Sequence, residues 1–69
     1  MRTKTAIISI SDLTSEAIPN LRNAFLASSG VESVDFNLER SVAVVEFDPT
    51  QSNLDDLLRT VLKAGYKVA

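Results

Sequence analysis

The chain has 69 residues, 45% of them hydrophobic and 23% charged, with a net charge of −2. A chain of this size removes only about 60% of its unfolded surface from water, and its acidic balance excludes nucleic acid as the expected partner, because phosphate binding needs a clustered basic face. It holds no cysteine and no histidine, which removes disulfides, thiol and imidazole catalysis and nearly every soft-metal ligand.

No apolar run approaches the ~18 residues of a membrane span. Met1-Arg2-Thr3 leads straight into an expected strand, so no signal peptide is expected and the expected compartment is the cytoplasm. One domain is expected over residues 1–69. Thr3 to Ile10 alternates apolar and polar positions, with Ala6, Ile8 and Ile10 on one face and Thr5, Ile7 and Ser9 on the other. Alternation with period two marks a half-buried strand. The loop after it, Ser11-Asp12-Leu13-Thr14-Ser15, holds three hydroxyls and an Asp, all good helix N-caps, around one apolar anchor, Leu13.

A helix follows and is expected to run to about Ser29, with Ile18, Leu21, Ala24, Phe25 and Ser28 on its inner stripe. Pro19 belongs in its first turn, where a missing N–H is tolerated. Gly30 then stops it. Val34, Phe36 and Leu38, a polar break at Arg40-Ser41, and Ala43, Val45 and Phe47 read as a β-hairpin. Asp48-Pro49-Thr50 ends the sheet. Ser52 is the expected N-cap of a second helix, with Asp55 in the capping-box position. Leu54, Leu57, Leu58, Val61 and Leu62 give that helix a helical apolar period. Asp55 and Asp56 in its first turn and Lys63 in its last suit the helix dipole. Gly65 closes it, and Tyr66 to Ala69 is a short last strand.

The order βαββαβ predicts an α+β, ferredoxin-like two-layer sandwich. A four-stranded antiparallel sheet carries both helices on one face, with the first and third strands central. The expected core is Ala6, Ile8, Ile10, Leu13, Leu21, Phe25, Val31, Val34, Phe36, Ala43, Val45, Phe47, Leu54, Leu57, Leu58, Val61 and Leu62.

Gly30-Val31, then Val34, Phe36 and Leu38, then Ala43, Val45, Phe47 and Asp48, then Ala64-Gly65-Tyr66 together resemble the heavy-metal-associated domains. Those are the small copper chaperones and the N-terminal modules of metal-transporting P-type ATPases. The resemblance implies a metal loop between the first strand and the first helix, where the family carries Gly-Met-Thr-Cys-x-x-Cys. Counted forward from Ile8 and Ile10, that motif falls on Asp12 to Ile18, with Ser15 and Ile18 at the cysteine positions. Counted back from Gly30-Val31, those positions are Thr14 and Ala17. Neither count meets a cysteine. By the same resemblance Leu13 stands for the family's buried Met, and Tyr66 for the aromatic near the loop.

The hydroxyls of Thr14 and Ser15 are neutral and hard, unlike the soft anionic donors that hold Cu(I), and they read as helix caps. Asp12 and Glu16 are too few for calcium, which takes six to eight oxygens. Arg40, Arg59 and Lys63 read as solvated surface, and Tyr66 as a packing residue with a wet hydroxyl. No nucleophile–base pair or convergent carboxylate pair can be assembled, so no enzyme is expected. The open sheet face exposes Ile7, Val42 and Val44, which read either as strand propensity or as an interaction surface.

The function expected is a metal-chaperone-like domain without its soft-metal ligands, a protein-interaction or regulatory accessory linked to metal transport. The alternative is a metal carrier that uses oxygens or ligands supplied by a partner. A third possibility is one domain of a larger transporter. The expected partner is a protein, either a metal transporter or a second copy; no metal, cofactor, nucleic acid or membrane insertion is expected.

Overall fold

Strand β1 (Lys4–Ser11) buries Ala6, Ile8 and Ile10 and exposes the residues between them. Alternation alone sets this, because successive side chains of a strand point to opposite faces. The computed structural model describes residues 3–69. After β1 come α1 (Ala17–Leu26), β2 (Val31–Asn37), β3 (Val42–Phe47), α2 (Leu54–Lys63) and β4 (Lys67–Val68).

The four strands lie in the order β2-β3-β1-β4, and all three pairings are antiparallel. The expected fold, with β1 and β3 in the middle, is the one observed. Helix α1 packs over β2, α2 packs over β1 and β4, and the helices touch each other. The core between sheet and helices is Ala6, Ile8, Ile10, Leu13, Ala17, Leu21, Phe25, Val34, Ala43, Val45, Phe47, Leu57 and Val61.

Pro19 is the third residue of α1, where an N–H would have no intrahelical partner. Ile18 is helical although the residue before a proline disfavours that region; it packs against the core. The helix ends at Leu26, short of Ser29. Ser28 N–H bonds the Phe25 carbonyl, a tighter spacing than the α-helix, and the Ser28 hydroxyl lies 3.1 Å from the Ala24 carbonyl.

In the β2–β3 hairpin, Leu38 stands in the turn and is 47% exposed. The turn closes with Ser41 at φ 57° and its N–H on the Leu38 carbonyl. The Ser41 hydroxyl bonds the Ile10 carbonyl at 2.8 Å, which pins the hairpin to β1.

Helix α2 starts one residue later than expected. Asn53, not Ser52, is its N-cap, and Asp56, not Asp55, completes the capping box. Asp56 N–H donates to Asn53 Oδ1 at 2.9 Å, and Asn53 N–H donates to Asp56 Oδ2 at 3.1 Å. Ser52 is unavailable as a cap because it is buried under Gly30 with its N–H on the Asp48 carbonyl. At the other end Gly65 N–H bonds the Leu62 carbonyl and Tyr66 N–H bonds the Val61 carbonyl. This is a Schellman closure, with Gly65 at φ 95°.

The core is narrower than expected along α2. Leu57 and Val61 are buried, Leu58 is half-buried, and Leu54 and Leu62 are about half exposed, at 50% and 56%. Thr60 faces α1 through Ser28, which turns Leu54, Leu58 and Leu62 to the opposite flank. There the sheet ends in the two-residue β4, so nothing covers them fully. Val31 and Phe36 are half-buried, and Ala17 is buried beyond expectation.

Candidate functional site

The loop from β1 to α1 opens with Asp12 in the left-handed region at φ 57°. Asp tolerates that region better than most residues. The turn drops Leu13 into the core and leaves Thr14, Ser15 and Glu16 exposed. Ala17 N–H, the first of the helix, lies 3.1 Å from the Thr14 carbonyl and 3.3 Å from Thr14 Oγ1. Thr14 therefore caps the helix from the loop, while Glu16 at the N-cap position makes no side-chain cap bond. Among the described residues Ser15 makes no side-chain hydrogen bond.

The two pairs of positions that the resemblance sets against the family's cysteines differ in kind. Thr14 and Ala17 are bonded across the turn. Ser15 is exposed and Ile18 is half-buried against the core, so that pair is not brought together by a bond. Tyr66 packs against the core. Its hydroxyl accepts from Asn20 Nδ2 on α1 at 3.5 Å, a long and exposed contact. Asn20 was not visible as Tyr66's partner in the sequence, because only the docking of α1 against the end of α2 brings them together.

Among the described residues no three Cys, His, Asp or Glu side chains cluster closely enough to hold a metal. The loop offers neutral hydroxyls, two exposed carboxylates and buried methyl groups. Such donors suit helix capping and water, not a soft cation.

On the far face of the sheet Ile7 lies directly opposite Val44, and Ser9 opposite Val42. Ile7 is 69% exposed, and the two valines are half-buried. On the other side of β3, Val44 faces Asp35 and Val42 faces Asn37. The three apolar side chains thus form one small patch, rimmed by Asp35 and Glu46. A separate polar cleft of about 260 Å3 lies between the end of α1 and α2, lined among others by Ser29, Gln51, Ser52, Arg59 and Lys63. The i, i+4 spacing of Arg59 and Lys63 was its only sequence signal, and it is equally that of a solvated helix face.

Residues 7–67 match the heavy-metal-associated domain. The chain belongs to the heavy-metal-associated domain family. It is 32% identical over 65 residues to a mercuric transport protein periplasmic component of Shigella flexneri, covering 93% of this chain and 71% of that protein. The crystal structure of oxidized MerP from Ralstonia metallidurans CH34 superposes with a TM-score of 0.86 at 30% identity, over 99% of this chain and 96% of that one. The N-terminal domain of a potential copper-translocating P-type ATPase from Bacillus subtilis, solved in the Cu(I)-loaded state, gives 0.87 at 26% identity, over 97% and 85%. This heavy-metal-associated domain therefore combines the family's frame with a sequence that contains no thiol and no imidazole. Among the described residues no helix is long and apolar enough to cross a membrane.

Proposed function

We propose that this heavy-metal-associated domain is an accessory of a metal-transport system that works by protein contact rather than by carrying a soft metal ion. The observation behind this is the composition of the β1–α1 loop: Asp12, Leu13, Thr14, Ser15, Ala17 and Ile18 keep the loop's fold without a soft donor. Zinc and copper sites of the chaperone kind need thiolate or imidazole. Leu13 keeps the loop anchored in the core, against which Tyr66 also packs.

The contact surface in this reading is the open sheet face, Ile7, Val42 and Val44. Its size suits a weak, regulatory encounter. The partner in this reading is a metal-transport protein, in keeping with relatives named as a potential copper-translocating P-type ATPase and a mercuric transport component. The role is binding, not catalysis, and the compartment in this reading is the cytoplasm, although the Shigella flexneri relative is a periplasmic component. Fractionation of the source cell tests that last point.

The deciding experiment has two arms. Titration with Cu(I), Zn(II) and Cd(II), followed by native mass spectrometry, is expected to leave the apo mass unchanged. A 1:1 complex retained through gel filtration overturns the reading. Amide-shift titration with the soluble part of a metal-transporting P-type ATPase is expected to move Ile7, Val42 and Val44, and Val44→Lys is expected to abolish the shifts while preserving the fold. Shifts elsewhere, or none, remove the proposed surface.

A further inference from the structure

Ser52 is the one buried polar residue among the described residues, at 6% exposed. Burying a hydroxyl is costly unless a partner receives it. Among the described residues Ser52 makes no side-chain hydrogen bond, yet no fully buried side-chain oxygen or nitrogen lacks a partner. The Ser52 hydroxyl is therefore not sealed in, and it opens outward. It borders the cleft of about 260 Å3 between the end of α1 and α2.

The other polar groups of that cleft divide into used and free. Ser28 Oγ lies 3.1 Å from the Ala24 carbonyl, Thr60 Oγ1 lies 2.9 Å from the Asp56 carbonyl, and the two hydroxyl oxygens are 3.2 Å apart. Two protons serve three contacts, so this pair has none left to donate and forms a closed wall. Ser29, Gln51, Arg59 and Lys63 are exposed in the cleft and make no side-chain hydrogen bond among the described residues. Arg59 and Lys63 stand one turn apart on α2, so both cations share a side of the helix. The described lining holds one carboxylate, Asp56, whose Oδ2 accepts the Asn53 N–H. The cleft thus offers two cations, several free donors headed by a buried hydroxyl, and one acceptor.

We propose that this cleft binds hydrogen phosphate. A guanidinium meets phosphate oxygens in paired bonds, and an ammonium adds a point charge. Ser52, Ser29 and Gln51 supply neutral donors around them. Asp56 sets the selectivity. It repels an oxyanion that carries no hydrogen and accepts a hydrogen bond from one that does. Phosphate keeps a P–O–H at neutral pH, whereas sulfate is fully ionised. The cleft is smaller than the roughly 300–1,000 Å3 of pockets for drug-sized ligands, which suits a small ion and a few waters. This inference does not rest on the protein contact proposed above, and either can fail alone.

Amide-shift titration with sodium phosphate at neutral pH tests it, with sodium chloride holding the ionic strength constant. The expected result is saturable binding with a Kd below about 1 mM, with shifts confined to Ser29, Gln51, Ser52, Arg59 and Lys63. Sulfate is expected to bind about tenfold more weakly or worse, and Arg59→Gln to weaken phosphate by about tenfold. Ser52→Ala is expected to weaken phosphate as well. Asp56→Asn keeps an oxygen for the Asn53 N–H and is expected to bring sulfate toward the affinity of phosphate. The proposal is overturned by no saturation up to about 10 mM phosphate, or by shifts that chloride reproduces. Equal binding of sulfate by the wild type overturns it, as does phosphate binding that Arg59→Gln leaves unchanged. Shifts centred on Lys4 and Phe47 also overturn it, because they place the ion in the other hollow that Ser52 borders.

Discussion

Gly30→Ala isolates a packing constraint that a second glycine lets us calibrate. Gly30 sits at φ 85° and Gly65 at φ 95°, so alanine at either carries the left-handed backbone penalty of about 1–2 kcal/mol. Reduced freedom of the unfolded chain offsets about 0.4–1 kcal/mol of it in both. The surroundings differ. A Cβ on Gly65 meets nothing within 4 Å, whereas one on Gly30 lies 2.9 Å from Gln51 Cβ, 3.1 Å from Ser52 Cβ and 3.4 Å from the Asp48 carbonyl. Those neighbours cannot easily retreat. Ser52 is 6% exposed, its N–H and that of Gln51 both bond the Asp48 carbonyl, and Asp48 N–H bonds the Gly30 carbonyl at 2.7 Å. Overpacking of this kind adds about 1–3 kcal/mol. Gly65→Ala is therefore expected to cost about 1 kcal/mol and Gly30→Ala about 2–4. The larger figure is a large part of the roughly 3–10 kcal/mol available to a domain this small. Urea melts at neutral pH read both, provided the m-value stays constant. Equal losses for the two variants would refute the reasoning, by showing that the turn at 48–52 does not press on Gly30.

Asn53→Ala is expected to cost about 1 kcal/mol; in thermal or urea melts Asp56→Ala should behave similarly and Asp55→Ala should cost less. Leu57→Ala, at a fully buried position, is expected to lose about 2–5 kcal/mol in urea melts, with Leu58→Ala smaller and Leu62→Ala within about 0.5. The Thr50 hydroxyl at 2.7 Å from Asp48 Oδ1 and, after it, the Thr50 N–H at 2.9 Å hold the Asp48 carboxyl below the usual carboxylate range. A lowered folded pKa stabilises above the ordinary carboxylate value and loses that contribution as pH falls through the lowered one. Thr50→Val is expected to move the Asp48 titration, followed by carboxyl carbon shifts, back toward the ordinary range without reaching it, since the backbone N–H remains.

Strand order and core face were legible because alternation in β1 and β3 admits only one buried side: Ala6, Ile8, Ile10, Ala43 and Val45 follow from it directly. The limits of α2's buried face were not. Its apolar positions span a wider arc than the sheet covers, and only docking decides that Leu57 and Val61 are inside while Leu54 and Leu62 flank them. The cap slipped by one residue because Ser52 and Asn53 are both good caps, and the burial of Ser52 under Gly30 is a long-range fact. Ala17 was passed over because a methyl group carries little hydropathic signal. In the loop, residue types were readable but pairing was not. Counts from β1 and from Gly30 differ by one, and only the Thr14–Ala17 bond distinguishes the two pairs.

The position of β1 between β3 and β4 has a kinetic consequence. Its first residue meets Phe47, and Ile10 meets Val68, so both sides of the central strand wait for sequence far down the chain. Only β2 and β3 pair locally. Non-local closure must precede the contacts that reward it, which places such a topology among the slower of the small α/β domains. During synthesis β1 emerges first and stays unpaired until β3 follows, with an alternating apolar stretch in the open. Changes in the β2–β3 turn around Ser41 should therefore alter the folding rate, and changes at Val68 in β4 mainly the unfolding rate. For this chain, the interval before β3 arrives is when aggregation competes most directly with folding.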